Sequence, residues 1–408
     1  MVVATNREFE LSGSSLNDAL SQHAAARPDA TAVKEIQALS APVETSYTEL
    51  DSLARRFAAS FEREVPHGTN VLFLLSRSAH CVAAIFGAMS SGHTFACLSD
   101  KLRARQIARV IAESNPAYVI VDSAGLMALR SGLDGTDGLA SAKWFLIRDA
   151  RYAAIHERTR KKLARLVELR EWRLAEETTA ATRPSYKNID ASSHAGCILF
   201  TSGSTGRQRG VRISTSNLNA CAAAEAELYG LTADDSLLGV LPFAFDVGLM
   251  QLLSGIRVGA AVTLLNSWMP QDLLDVCEQQ AITGISAVPS IWVEFLSGNR
   301  AFATSGAHRA LRYITISGGD LSPEQLANIE TIAPAVSVFK TYGQSETFRS
   351  AALKPEEFIA RPESVGRAFG NARFYIVRDD RSLAPVGEVG EIVHTGLGTM
   401  LGYSGTAD

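Results

Sequence analysis

The chain has 408 residues, of which 46% are hydrophobic and 20% are charged, as in an ordinary soluble globular protein. This length corresponds to two or three domains and is enough to bury a substantial core. The net charge of -4 provides no basic surface for a polyanion, so nucleic acid is not an expected partner.

The five cysteines are odd in number, scattered along the chain and without a CxxC pair. They are Cys81, Cys97, Cys197, Cys221 and Cys277. This distribution argues against a disulfide framework or a zinc site, and we expect small core residues in a reducing cytoplasm. Residues 1–12 lack the apolar stretch of a signal peptide, and no apolar run is long enough to span a bilayer. We therefore expect a cytoplasmic protein with no membrane partner.

In the first third of the chain, short β-branched runs alternate with amphipathic helical stretches. Such alternation is typical of an α/β fold with largely parallel strands. Helices are predicted from Ser15 to Ala26, from Tyr47 onward, over 79–91 and over 103–114; strands are predicted over 71–75 and 117–121.

The pattern weakens between Asp122 and Ala195. Within this stretch, seven basic residues of the segment 158–173 are interleaved with leucine and valine. We interpret the segment as a solvated amphipathic helix over a subdomain edge. The more specific alternative is a site for an anionic partner, and no other feature of the sequence supports it.

Regular alternation resumes at Gly196 and continues to about Lys340, and short strands broken by glycine and proline follow from Ala372 to Tyr403. These changes predict three parts. An N-terminal α/β subdomain covers 1–195, with a variable insertion near 122–195. A second α/β subdomain covers 196–365, and a β-rich subdomain covers 366–408.

The most informative segment begins at the end of an apolar strand that starts at Cys197. Six small or hydroxylated residues, from Thr201 to Gly206, are followed by the basic residues Arg207 and Arg209. Glycines let the backbone approach an anion, and adjacent N–H groups, hydroxyls and guanidinium groups can bind phosphate. The spacing matches neither a Walker loop nor a dinucleotide fingerprint. From composition alone, a flexible surface turn is an equally good interpretation.

The string TSGSTGRQRGV, residues 201–211, resembles the signature loop TSGSTGxPKG of the adenylate-forming superfamily. This superfamily holds acyl-CoA synthetases, nonribosomal-peptide adenylation domains and luciferases. Gln208 stands where proline is usual, and Arg209 stands where lysine is usual. The charge is kept, but a forked guanidinium replaces a point donor.

Further motifs resemble those of the superfamily and occur in the same order. They are SYTEL at 46–50, MSSGHTFACL at 89–98, LPFAFD at 241–246, SGGDLS at 317–322, TYGQSET at 341–347, GRAFG at 366–370 and PVGEVGE at 385–391. The resemblance extends from about residue 15 to residue 403. It implies a large N-terminal domain with two α/β subdomains of mostly parallel sheets flanked by helices, and a small β-rich subdomain shaped as a distorted barrel.

The resemblance also implies a role for each motif in binding ATP or AMP. Glu346 would hold Mg²⁺ against the triphosphate, since hard carboxylate oxygens suit that ion. Ser345, as a donor to the AMP phosphate, and Arg209 would complete the catalytic set, and Tyr342 would stack on adenine. The other implied nucleotide contacts come from the loop and from two strand ends: Thr201, Ser202, Gly203, Ser204, Thr205, Gly206, Gly318, Gly319, Asp320, Thr341 and Gly343.

In amino-acid-activating relatives, the aspartate of the FD motif pairs with the substrate ammonium, and Asp246 occupies that position here. The implied lining of the acyl pocket also includes Val247, Met250, Ser317, Thr341 and Arg349. Arg349 is expected either to pair with Asp246 in the empty site or to bind a second carboxylate on the substrate. The acid is therefore an amino acid, another small acyl or aryl acid, or a long fatty chain, and the sequence does not choose among them.

The implied reaction joins a small carboxylic acid to AMP and releases pyrophosphate. The acyl group then passes to a thiol, either coenzyme A or a phosphopantetheinyl carrier protein. The sequence ends before the mobile C-terminal domain that carries a catalytic lysine in the superfamily, so we expect slow adenylation and no thioester formation. Two alternatives stay open, namely a catalytically degenerate nucleotide-binding scaffold of the same fold and an unrelated kinase that releases ADP.

Overall fold

The computed structural model describes residues 14–36, 41–99, 101–129, 139, 142–147, 161, 169–174, 190–202, 208–267, 269–297, 306 and 309–405. In chain order the helices are α1 (Leu16–Ala26), α2 (Tyr47–Glu64), α3 (Ala79–Ser90), α4 (Ala104–Ser114), α5 (Ser123–Ala128), α6 (Thr215–Leu228), α7 (Asp246–Val258), α8 (Pro270–Gln279), α9 (Pro289–Ser297), α10 (Pro323–Ile332) and α11 (Pro355–Ala360).

The strands alternate with these helices over most of the chain. In order they are β1 (Thr31–Ile36), β2 (Val43–Ser46), β3 (Asn70–Leu74), β4 (Thr94–Cys97), β5 (Tyr118–Val121), β6 (Lys143–Leu146), β7 (Leu169–Glu171), β8 (Ala195–Ser202), β9 (Gln208–Ser214), β10 (Ser236–Gly239), β11 (Ala261–Leu265), β12 (Gly284–Ala287), β13 (Tyr313–Ser317), β14 (Ser337–Tyr342), β15 (Ala351–Leu353), β16 (Arg367–Ala368), β17 (Arg373–Val377), β18 (Glu391–Thr395) and β19 (Gly402–Tyr403).

Local sequence signals account for where several helices begin. The Ser15 side chain accepts a hydrogen bond from the backbone N–H of Asp18, and Asp18 bonds back to the Ser15 backbone. Ser46 and Glu49 form the same reciprocal box at the start of α2. Each box satisfies two backbone N–H groups that a helix leaves without partners, so the predicted starts at Ser15 and Tyr47 are confirmed.

Two large sheets form the framework of the described part of the chain. One contains nine strands in the order β16-β15-β14-β13-β12-β10-β11-β1-β2, and the other contains eight in the order β19-β9-β8-β4-β3-β5-β6-β7. The neighbours from β14 to β1 in the first sheet and from β8 to β7 in the second are parallel. Strands β17 and β18 form a separate antiparallel hairpin.

The largest cluster of buried side chains joins these two sheets. It takes residues from α2, α3, α6 and α7 and from inner strands of both sheets, including Phe73, Phe95 and Val262. A second cluster covers the other face of the nine-stranded sheet with α8, α9 and α10, and a third covers the other face of the eight-stranded sheet with α4 and α5. Strands buried on both faces explain why the sequence shows continuous apolar runs rather than alternation.

The mixed α/β fold class predicted from the sequence is therefore confirmed. All five cysteines are buried and free, as expected of small core residues. No helix within the described residues combines the length and the apolar character that crossing a bilayer requires.

The prediction for the basic segment 158–173 is wrong at its C-terminal end. Leu169–Glu171 forms β7 and pairs in parallel with β6, and Trp172 packs on Phe57 and Phe61 of α2. Packing of that tryptophan and the ladder with β6 outweigh the helical spacing of the leucines, since tertiary contacts override a weak local preference. Apart from Lys161, residues 158–168 lie outside the described residues.

Sheet membership does not follow the predicted boundaries at residues 195 and 366. Strands β1 and β2 precede residue 195 yet join the nine-stranded sheet, whereas β8 and β9 follow it or span it and join the eight-stranded sheet. From the final segment, β16 joins the first sheet and β19 joins the second. The division of the chain into three subdomains stays a prediction.

Candidate active site

The carboxyl ends of β10, β13 and β14 meet at one edge of the nine-stranded sheet, because these strands are parallel members of it. Ser317 and Thr341 are register partners at the ends of β13 and β14, and their hydroxyl oxygens are 2.5 Å apart. Tyr342, the last residue of β14, is half-buried beside them. Crevices at this edge of an open α/β sheet are the usual position of ligand sites.

The segment 343–350 leaves β14 and folds back before β15. Phe348 is buried with a φ of 56°, a left-handed conformation that a bulky residue rarely adopts. Gly343 lies against the doubled-back backbone, since a Cβ at this position would be 2.8 Å from the Phe348 carbonyl oxygen and 2.9 Å from the Arg349 Cα. The predicted nucleotide residue Gly343 therefore has a structural role in closing this loop.

Glu346 connects this loop with the eight-stranded sheet. The Tyr403 hydroxyl donates a hydrogen bond of 2.9 Å to Oε1 of Glu346, and the Met400 backbone N–H donates to the Glu346 carbonyl at the same distance. Tyr403 belongs to β19, which pairs with β9, and the guanidinium of Arg209 lies 5.3 Å from the centre of the Tyr403 ring. Glu346 and Arg209, two members of the implied catalytic set, are thus joined through one tyrosine.

Arg349 is buried, and its partner is a residue that the sequence analysis did not name. Its Nη2 lies 3.1 Å from Oε2 of Glu225 on α6, and its Nη1 donates a hydrogen bond to the Tyr229 hydroxyl. The ring of Phe369 lies 5.9 Å from the guanidinium carbon. Within the described residues no ion pair joins Arg349 to Asp246, so the expected pairing of these two in the empty site is wrong.

Asp246 is the first residue of α7 and is half-buried. Its carboxylate accepts a hydrogen bond of 2.9 Å from the backbone N–H of Val247. Burial raises the pKa of Asp246, Arg349 lowers it in part, and the charge of Glu346 raises it further. A carboxylate in this position gains from a cationic partner, since burial penalises an unpaired charge.

The other predicted pocket residues lie along α7. Val247 is buried in the cluster on the outer face of the sheet, and Met250 is buried in the large cluster between the sheets. Their side chains fix the direction of the helix that presents Asp246.

Of the two glycines after β13, Gly318 borders open space, whereas a Cβ at Gly319 would lie 3.0 Å from Pro289. Gly318 has a φ of 75°, and a Cβ there would meet only Val288, at 3.6 Å. The carboxylate of Asp320, half-exposed, pairs with Nζ of buried Lys340 at 2.5 Å, and Nζ also donates to the Pro362 carbonyl at 2.9 Å. Lys340 therefore holds the turn that carries Gly318 and Gly319 against β14.

The predicted phosphate loop lies in the chain between β8 and β9, which pair in antiparallel fashion. Thr201 is the register partner of Arg209, and Ser202 is the partner of Gln208. Gly203, Ser204, Thr205, Gly206 and Arg207 lie outside the described residues, as does the side chain of Ser202.

A family model described as AMP-binding enzyme matches residues 20–404 of the chain. The chain belongs to this family. The match covers nearly the whole sequence, so the resemblance to the adenylate-forming superfamily is confirmed. Members of the AMP-binding family are AMP-forming ligases, which include nonribosomal-peptide adenylation domains and acyl-CoA ligases.

Curated relatives in this family are much longer than the chain. The dimodular nonribosomal peptide synthase of Bacillus subtilis (strain 168) is 24% identical over 367 residues, which cover 88% of this chain and 14% of that protein. Syringomycin synthase SyrB1 of Pseudomonas syringae pv. syringae is 24% identical over 403 residues, which cover 96% of this chain and 58% of that protein.

A solved structure shares the fold of this chain. The complex of VinN with L-aspartate has a TM-score of 0.77 and 23% identity, with 97% of this chain and 92% of that chain covered. At this identity the likeness shows the fold alone, and it confirms the predicted large N-terminal α/β architecture.

An AMP-binding enzyme implies a nucleotide and, by the resemblance, Mg²⁺, and the described residues fit both. Gly318 borders open space beside half-buried Tyr342, which leaves room for a flat base. Glu346 offers a half-exposed carboxylate of which Tyr403 engages one oxygen. Mg²⁺ typically takes one or two protein carboxylates and completes its shell with phosphates and water.

Four partners of the predicted site residues were not predicted from the sequence: Glu225, Tyr229, Lys340 and Tyr403. A carboxylate inside the alanine-rich run of α6 was the available signal for Glu225, because a buried charge needs a partner. The partner itself, 124 positions later in the chain, has no local signal.

Proposed function

We propose that the chain binds ATP and a carboxylic acid and joins them as an acyl-adenylate with release of pyrophosphate. The observation that carries this proposal is the contact of Glu346 with Tyr403, whose ring lies beside Arg209. Through it, the predicted metal ligand in the loop after β14 lies next to β9, the strand that follows the predicted phosphate loop. An adenylation site needs these two features together, because charge neutralisation and alignment drive the reaction more than covalent help from the protein.

In the proposed reaction, an oxygen of the substrate carboxylate attacks the α-phosphorus of ATP in line with the leaving pyrophosphate. The bond from that phosphorus to the bridging oxygen breaks, and pyrophosphate leaves with the electron pair. Arg209 and the hydroxyls from Thr201 to Thr205 stabilise the charge on the phosphates. Mg²⁺ bound at Glu346 would add charge neutralisation between the triphosphate and the protein.

The acid occupies the space between Asp246, Ser317 and Thr341 in this proposal. The carboxyl end faces the nucleotide, and the rest of the acid faces Asp246. VinN, a structural neighbour, was solved with L-aspartate, which is a small acid that carries an ammonium group. A small acyl or aryl acid also fits this arrangement. The second half-reaction, transfer to coenzyme A or to a carrier-protein thiol, is part of the same proposal.

ATP–pyrophosphate exchange with a panel of acids tests this function. We expect acid-dependent exchange and AMP as the nucleotide product. A chain that binds AMP yet shows no exchange with any acid, also when the C-terminal domain of a relative is fused to it, would be a nucleotide-binding scaffold. Release of ADP instead of AMP would indicate a kinase and contradict the proposal.

Asp246→Ala, measured beside the unchanged chain, tests whether Asp246 recognises an ammonium group on the acid. If the substrate carries an ammonium group, this variant should lose preference for that acid over its deaminated counterpart. Unchanged preference would exclude recognition of an ammonium group by Asp246 and leave acyl-adenylate formation intact.

A further inference from the structure

Two carboxylates and one guanidinium lie in the wall behind the proposed acyl pocket. Glu225 on α6 is 1% exposed and Arg349 is 5% exposed, so their ion pair is shielded from water. Asp246 begins α7, which packs against α6. When both carboxylates are ionised, these three side chains therefore carry a net charge of one negative unit.

Several contacts fix Arg349 on Glu225. The Tyr229 hydroxyl accepts a hydrogen bond from Nη1, and the Tyr229 ring is itself held by Tyr313 at 4.9 Å and by Phe339 at 5.0 Å between ring centres. Phe348 precedes Arg349 in the chain, and its left-handed backbone conformation directs Arg349 into this cluster. Because these constraints come from α6, β13, β14 and the loop, the guanidinium has a defined position.

The same contacts keep Arg349 from neutralising Asp246. The helix that begins at Asp246 packs against the helix that carries Glu225, and the guanidinium held by Glu225 lowers the pKa of Asp246. Without Glu225, the guanidinium would be a buried cation, with Asp246 as another carboxylate that acts on it electrostatically, and an ion pair between them would relieve the cost of burying it. Glu225 thus decides whether Asp246 faces the pocket with or without a counter-ion.

We propose that Glu225 is a specificity-determining positioning residue, which holds Arg349 away from Asp246 and so makes the pocket select acids that carry an ammonium group. This inference rests on the proposed function and deepens it by naming the substrate class. It assigns to Glu225 a role that the motifs do not contain. Glu225 acts through Arg349, and it has no contact with the acid in this proposal.

The test measures acid binding by calorimetry in the presence of AMP. The probes are matched acids that differ by one ammonium group, namely β-alanine and propionate, L-aspartate and succinate, and L-phenylalanine and 3-phenylpropionate. Selectivity is the ratio of dissociation constants within a pair. We expect the unchanged chain to favour the ammonium-bearing member of the pair it binds best by about tenfold or more, as charge pairs shielded from water can supply.

Glu225→Gln should reduce this selectivity by about tenfold, because Arg349 then pairs with Asp246. The double variant Glu225→Gln with Arg349→Met should restore it to within about threefold of the original ratio, because Asp246 is again without a counter-ion. A merely structural ion pair would not give this reversal. Glu227→Gln is the matched control, since it makes the same substitution at an exposed position of α6, and its ratio should not change.

Circular dichroism and AMP binding establish that each variant is folded. If Glu225→Gln does not fold, Glu225→Asp keeps the charge but shortens its reach, and an intermediate ratio is expected. Unchanged selectivity in a folded Glu225→Gln chain, or a double variant that stays unselective, overturns the inference. If the original chain prefers the deaminated acids, the inference about Glu225 is overturned but the proposed function is not. If no acid binds while AMP still binds, both the inference and the proposed function are contradicted.

Discussion

The hydroxyl of Tyr403 donates a hydrogen bond of 2.9 Å to the carboxylate of Glu346, 57 positions earlier in the chain. This bond joins β19, which pairs with β9, to the loop that follows β14 of the other sheet. Burial and the nearby carboxylate raise the pKa of Tyr403, whereas Arg209 lowers it. The phenol therefore stays protonated at neutral pH and serves as the donor that orients Glu346.

Tyr403→Phe should weaken binding of ATP with Mg²⁺ by about tenfold, since a hydrogen bond to a charged group contributes about 1.5–3 kcal/mol. The ring that lies beside Arg209 is kept. Binding of AMP without Mg²⁺ should not change, and calorimetry with each nucleotide separates the two. Tyr375→Phe on the β17–β18 hairpin is a control in an exposed position. Equal losses for both nucleotides would mean that Tyr403 supports the fold rather than the orientation of Glu346.

Glu346→Gln should reduce acid-dependent ATP–pyrophosphate exchange by about a hundredfold, the usual cost of removing one electrostatic contact to the transition state. Glutamine keeps the shape and can still accept the bond from Tyr403, so the fold should be unaffected. The loss should show as a raised requirement for Mg²⁺ in a titration of exchange rate against metal concentration. An unaltered Mg²⁺ dependence would show that Glu346 does not bind the metal.

The sequence predicted the elements of this site better than their connections. Ser317, Thr341 and Tyr342 were predicted as site residues from their motifs, and the structure places all three at strand ends, which a local pattern can indicate. Their roles stay predictions. The partners Lys340 and Tyr403 were missed. Each lies in a strand beside a predicted site residue. The side chain that it contacts depends on how the strands pair, and local sequence spacing does not predict pairing across two sheets.

Arg349 shows the same limit in a sharper form. Of its two predicted partners, Asp246 was wrong, and a second carboxylate on the substrate stays a prediction. Glu225 competes for the guanidinium from α6, and burial decides that competition, since a buried carboxylate left alone is costly. Burial of both partners arises from the packing of α6 against the loop 343–350, and neither sequence segment shows it by itself.

Gly343→Ala should destabilise the chain by about 2 kcal/mol or more, because the added Cβ would meet backbone atoms that cannot turn away. Gly318→Ala is the matched comparison in the same site. It adds a Cβ into open space, at a positive φ, and should cost about 1 kcal/mol from backbone strain alone. Urea unfolding gives both values. A smaller loss for Gly343→Ala than for Gly318→Ala would contradict the close packing of the loop against Phe348.

His93 provides a prediction for the pH dependence of stability. It is 1% exposed at the start of β4, with its ring 5.9 Å from Phe61 and 6.1 Å from His67. Burial, together with the charge of His67, lowers the pKa of His93 in the folded chain. The unfolded chain has the ordinary value of about 6.5. Between these two values the unfolded state binds more protons, so the free energy of unfolding falls as the pH falls below about 6.5.

His93→Phe should flatten this dependence, because the replacement fills the same space and cannot take up a proton. One proton contributes a slope of at most about 1.4 kcal/mol per pH unit, so urea unfolding at pH 7, 6 and 5 resolves the change. Burial also lowers the pKa of His194, which leaves a residual slope in the variant. His80→Gln, on the exposed face of α3, is the control and should retain the full slope. If His93→Phe and the unchanged chain lose stability equally on acidification, His93 is protonated in the folded state as easily as in the unfolded one, and its burial does not govern the acid sensitivity of the fold.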